Sequence, residues 1–123
     1  MSVMIRTAAL AAVALAGAAG AAVAHDAVRG TTPARGAVLE NLPARVSMTF
    51  AAPVGRLDAV RITRNGKGNF VKSARVDPRN AARVVATLKR PGARYRPGVW
   101  KVTWRVTGAD GHKQTLSAGF RVR

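Results

Sequence analysis

At 123 residues the chain has room for one domain, and without cysteine it can form neither a disulfide nor a thiolate metal site. Lysine and arginine total 21 against 5 acidic residues, a net charge of +16, so the surface attracts polyanions and raises the potential around any site it carries. The basic residues are scattered through strand and turn patterns, with no basic helix or aromatic stacking platform, which argues against specific binding of nucleic acid.

In chain order, the first pattern is a leader. Met1 to Thr7 carries one basic side chain, Arg6; Ala8 to Ala24 is almost wholly Ala, Val, Leu and Gly and closes on Ala22-Val23-Ala24. A charged start, an apolar run and a small-x-small ending are the three parts of a secretory signal peptide. The run is short and weakly hydrophobic for a membrane span, which needs about 20 strongly apolar residues. The expectation is a signal peptide over residues 1–24, cleavage before His25, and an exported, periplasmic domain over residues 25–123.

Beyond residue 25, period-two alternation dominates, broken by Gly and Pro. Val46, Met48 and Phe50 alternate with Arg45, Ser47 and Thr49. Val60 and Ile62 alternate with Arg61 and Thr63, and Asn65-Gly66 then marks a tight turn. Val84, Ala86 and Leu88 share one face ahead of the turn signal Pro91-Gly92. Trp100, Val102, Trp104 and Val106 lie opposite Lys101, Thr103 and Arg105, and Phe120 and Val122 opposite Arg121 and Arg123. No stretch has a helical period. Short strands at this spacing predict an all-β antiparallel sandwich or barrel, with arginines on the wet faces and the two tryptophans in the core.

Residues able to do chemistry are few. No Gly-rich phosphate loop, Cys-x-x-Cys motif or marked Ser-His-acid set is present, and there are two histidines, His25 and His112. Cleavage before His25 would leave its α-amine and imidazole on one residue, able to close a chelate ring on a metal. An unperturbed terminal amine has a pKa of roughly 7.7–8.0, so a metal can displace its proton near neutrality. The second histidine stands in Asp110-Gly111-His112. On an extended segment Asp110 and His112 would point the same way, with Gly111 allowing a bend, and would offer a carboxylate and an imidazole together. Asp-Gly is also a frequent turn pair, so the same residues read as a surface turn. The combined donors, one amine, two imidazoles and one carboxylate, suit tetragonal Cu(II), while Zn(II) would take a tetrahedral arrangement.

These residues also carry a resemblance. The opening from His25 through Thr32-Pro33-Ala34-Arg35-Gly36-Ala37-Val38-Leu39, the strand residues Pro43, Val46 and Phe50, and the stretch Tyr95-Arg96-Pro97-Gly98-Val99-Trp100-Lys101-Val102-Thr103-Trp104-Arg105-Val106 leading to Asp110-Gly111-His112 and Phe120-Arg121-Val122 resemble the CopC family of periplasmic copper-resistance proteins. The resemblance implies a cupredoxin-like or immunoglobulin-like Greek-key β-barrel or sandwich, with His25, Asp110 and His112 as ligands of one Cu(II) per chain. Ala27 stands where some members have a further histidine, and Lys113 and Leu116 where Pro and Gly are common. Met48 is the one methionine after residue 24 and lies on the inward face of its strand, which disfavours a soft Cu(I) site.

The expected role is a copper carrier, chaperone or buffer in homeostasis or resistance, monomeric and not an enzyme. Its expected partners are the copper ion and an inner-membrane copper transporter. Two other classes remain open: a basic exported polyanion-binding module, and a terminal-histidine copper enzyme of oxidative chemistry.

Overall fold

The computed structural model describes residues 28–89 and 96–123, and every regular element among them is a strand. These are β1 (Val28–Thr32), β2 (Val38–Leu39), β3 (Arg45–Phe50), β4 (Val54–Arg64), β5 (Val71–Asp77), β6 (Asn80–Leu88), β7 (Gly98–Gly108) and β8 (Lys113–Val122). They form two four-stranded sheets, ordered β1-β3-β6-β5 and β2-β8-β7-β4. All pairs are antiparallel except β2 and β8, which run parallel. The sandwich expectation is met and the barrel is not: among the described residues no ladder joins the two sheets, so each keeps two edges.

The core lies between the sheets, and alternation put it there. Val46, Met48 and Phe50 of β3 and Val84, Ala86 and Leu88 of β6 face Ile62 of β4, Trp100, Val102, Trp104 and Val106 of β7, and Phe120 and Val122 of β8. Trp100 and Trp104 are buried as expected. Phe70 meets Trp100 edge-on at 5.0 Å between ring centroids, Phe120 stacks on it at 6.4 Å, and its indole N–H donates to the Arg96 carbonyl at 2.8 Å. A buried indole with its one donor satisfied adds apolar area without a desolvation cost.

Three strands were not foreseen, for identifiable reasons. β2 has only two residues, and β1 is a short edge strand whose Val28-Arg29-Gly30-Thr31-Thr32 lacks an apolar stripe. In β5 the inward residues Val71 and Val76 are five apart, an odd spacing that breaks period two. A register shift between Val71 and Ser73 against β6 absorbs the extra residue and turns both valines inward. β4 uses the same device twice: shifts at Val54/Arg56 and Leu57/Ala59 bring Val54, Leu57, Val60 and Ile62 to one face despite two three-residue steps.

The Asn65-Gly66 turn forms as expected, with positive φ at both residues (51° and 79°) and Arg64 and Lys67 exchanging backbone hydrogen bonds. It also grips the start of β7: Asn65 N–H donates to the Val99 carbonyl and Val99 N–H to Asn65 Oδ1. The signal-peptide expectation, His25, Ala27, the Pro91-Gly92 turn and Tyr95 lie outside the described residues.

Candidate metal centre

Asp110 and His112 sit on the four-residue loop, Ala109 to His112, that joins β7 to β8. The backbone closes this loop on itself: Gly108 N–H donates to the His112 carbonyl at 2.8 Å, and Gly111 N–H to the Gly108 carbonyl at 2.9 Å. Gly111 has φ 89°, a conformation costly for residues with a Cβ. The pair is thus gathered by a tight turn, the reading that Asp-Gly also allowed, and not by an extended segment.

Asp110 fixes the geometry. Its Oδ1 accepts the His112 backbone N–H at 3.1 Å, and its Oδ2 lies 2.8 Å from His112 Nδ1. Those bonds hold the Asp110 carboxyl below the usual carboxylate range, the side-chain bond to His112 contributing most and the His112 backbone N–H next. The carboxylate is therefore ionised over the whole neutral range, as a metal donor must be. Both side chains face solvent, Asp110 at 69% and His112 at 81% exposure. The carboxylate curls back over Gly108, where a Cβ would stand 2.8 Å from Asp110 Oδ1. Gly108 therefore belongs to the site's scaffold, a role that its place at a strand end does not reveal.

Asp58 is an acid set near the loop, and it is already engaged. Thr107 Oγ1 donates to its Oδ2 at 2.6 Å and Arg56 Nε to its Oδ1 at 2.6 Å. These bonds lower its pKa, with Thr107 the larger cause, and the Lys113 charge adds to the effect. Among the described residues no three groups of the His, Cys, Asp or Glu type come together, and Asp110 and His112 stand as a pair, at most a candidate half-site. Met48, in the core, has no exposed surface and cannot serve as a soft ligand.

The topology fixes which end of the sandwich carries this half-site. Val28, the first residue of β1, pairs with Phe50, the last of β3, and Val54, the first of β4, pairs with Gly108 at the end of β7. Ala109 N–H reaches the Pro53 carbonyl of the β3–β4 connection at 3.4 Å. The start of β1 and the Asp110–His112 loop therefore occupy the same end.

A family model described as the CopC domain matches residues 28–123. The chain belongs to the CopC family. Three solved structures share the fold: CopC from Methylosinus trichosporium OB3b, at 18% identity over 77% of this chain and 90% of that one, with a TM-score of 0.66; PcoC, a copper resistance protein from Escherichia coli, in selenomethionine form, at 16% over 78% and 98%, TM-score 0.62; and PcoC described as a methionine-rich copper resistance protein, at 19% over 78% and 96%, TM-score 0.58. No curated protein sequence gives a significant match. At these identities the likeness to the solved structures concerns the fold, and it matches the two-sheet architecture of this CopC domain.

Proposed function

We propose that this protein is exported to the periplasm, loses residues 1–24, and binds one Cu(II) through the amine and imidazole of His25 together with Asp110 and His112. It acts in copper homeostasis or resistance as a carrier, chaperone or buffer, without chemistry of its own. Membership of the CopC family supports the metal, and the exposed Asp110–His112 pair carries the site.

The spacing of that pair supports shared coordination. Two donors bound at right angles to one metal, each at about 2.0 Å, lie about 2.8 Å apart, whereas tetrahedral donors lie about 3.3 Å apart. Asp110 Oδ2 and His112 Nδ1 are 2.8 Å apart, an ordinary hydrogen-bond distance, so both donors can reach one ion once the proton between them is displaced and the two side chains turn their lone pairs toward it. Reach supports the third ligand. Residue 25 precedes Val28 by three residues, a span of at most about 11 Å in extended chain. Val28 opens β1 at the end of the sandwich that holds the loop.

Mass spectrometry of the exported protein, followed by titration with Cu(II), tests the reading. The expected result is a chain beginning at His25 that takes up one equivalent with a tetragonal electron paramagnetic resonance spectrum. A mature chain that begins elsewhere, or a stoichiometry of zero, overturns it.

A further inference from the structure

The outer face of the β1-β3-β6-β5 sheet holds a groove of about 1020 Å³ that the copper reading does not use. Cross-strand register gives its plan. On β6, the outward Val85 and Thr87 form the floor; Arg45 of β3 stands beside Thr87, and Arg75 of β5 stands beside Val85 on the other side. Arg79, from the turn between β5 and β6, adds a further guanidinium to the lining. β3 and β5 flank β6, so the two arginine walls are about 9.6 Å apart at their roots.

Of the four arginines that line this groove, Arg83 is paired with Asp77, which also lines it, while Arg45, Arg75 and Arg79 have no ion-pair partner among the described residues. Each described carboxylate is already engaged: Glu40 with Arg123, Asp58 with Arg56, Asp77 with Arg83, and Asp110 with the His112 ring. Asp77, the acid that lines the groove, is committed to its neighbours: its Oδ1 accepts the Arg79 backbone N–H and its Oδ2 accepts both Nε and Nη2 of Arg83, while the Arg75 charge acts on it only from beyond ion-pair distance. No described acid lies within ion-pair distance of Arg45, Arg75 or Arg79.

We propose that this groove binds an extended acidic peptide segment of a partner protein. The cations lining it are all arginines, whose planar fork matches a carboxylate through two parallel hydrogen bonds. Successive side chains of an extended peptide point to opposite sides, so neighbouring acids would meet Arg45 on one wall and Arg75 or Arg79 on the other. Sugar rings and bases find no aromatic side chain in the lining on which to stack. A flat bilayer does not enter a concave groove, and a second copy, itself at +16, is repelled.

The test is fluorescence anisotropy with a labelled decapeptide of alternating Glu and Asp, at low salt and at about 0.3 M salt. Two triple variants of equal charge are compared: Arg45→Gln, Arg75→Gln, Arg79→Gln in the groove, and Lys101→Gln, Arg105→Gln, Arg121→Gln on the other sheet. All six positions are on the surface, and circular dichroism with copper titration confirms that both variants fold and keep the metal site. The groove variant is expected to lose about tenfold or more in affinity and the control about twofold or less. Equal losses in both, or no peptide binding at low salt, overturn the proposal. So does groove-dependent binding of a heparin fragment or of phosphatidylglycerol vesicles when the peptide does not bind.

Discussion

β7 buries Trp100, Val102, Trp104 and Val106 along one face, while two residues beyond its end Asp110 stands largely in solvent, followed by the still more exposed His112. The buried part is held by area and shape: indole against Phe70 and Phe120, with a single hydrogen bond to Arg96. The exposed part is held by a short set of directional bonds that close on themselves, from Gly108 to His112 and from Asp110 to His112. On the proposed reading, one strand separates stability from binding, and the sheets hold the loop at the end where β1 begins.

The largest expected effect lies at the buried end. Trp100→Ala removes the side chain at the centre of the aromatic cluster and should cost about 3–5 kcal/mol in urea unfolding of the apo protein. Copper affinity measured on the fraction that stays folded should hardly change. A mutant that keeps its stability would show that the sandwich does not depend on this cluster.

At the exposed end the pattern should reverse. His112→Ala is expected to leave apo stability within about 0.5 kcal/mol, as for surface changes elsewhere. Its Cu(II) affinity should fall about a hundredfold or more, because one of four donors is lost. Asp110→Ala should be milder, about tenfold, since water can take the place of an anionic oxygen. Urea melts and competitive chelator titrations on the same samples check both halves. Unfolding of His112→Ala, with copper retained by what remains folded, would make His112 structural and erase the contrast between the two ends.

A smaller effect belongs to pH. Asp77 is held below the ordinary carboxylate range, first by the Arg79 backbone N–H and then by Arg83. A lowered folded-state pKa adds stability that is complete above the unfolded value, about 3.9, and is lost as the pH falls through the folded one. Asp77→Asn should therefore differ most from the parent near neutrality and converge with it in strong acid. Denaturation curves between about pH 7 and pH 2.5 would show the gap closing, and a gap that stays constant would mean Asp77 is not titrating against its partners.

The buried end was legible in the sequence because each of its residues has one task, and period two records that task directly. Alternation failed where a bulge let two inward residues sit an odd number apart, as in β5, or where the strand was an edge held by ladder bonds with little burial, as in β1. The candidate site was legible only as a set of donor types, since two histidines and an Asp-Gly-His triplet leave few choices. Its geometry was not. A Cβ at Gly108 would push the Asp110 carboxylate out of its place, and Gly55 passes close at the adjoining β4 bulge, where a Cβ would stand 3.0 Å from the Gly108 carbonyl. The second contact joins positions more than fifty residues apart and leaves no local pattern.

On the proposed reading, the N-terminal residue that processing exposes completes the half-site on the β7–β8 loop. The most direct test compares Cu(II) binding by the chain beginning at His25 with the same chain carrying one methionine ahead of it. The folds should be identical by circular dichroism and urea melt, because the extension adds nothing to the core. The extra residue moves the free amine off His25 and opens its chelate ring, so affinity should drop about tenfold or more. Equal affinity for the two chains would mean that the copper is held without the amine that processing is proposed to expose, and His25 would then not be the ligand proposed.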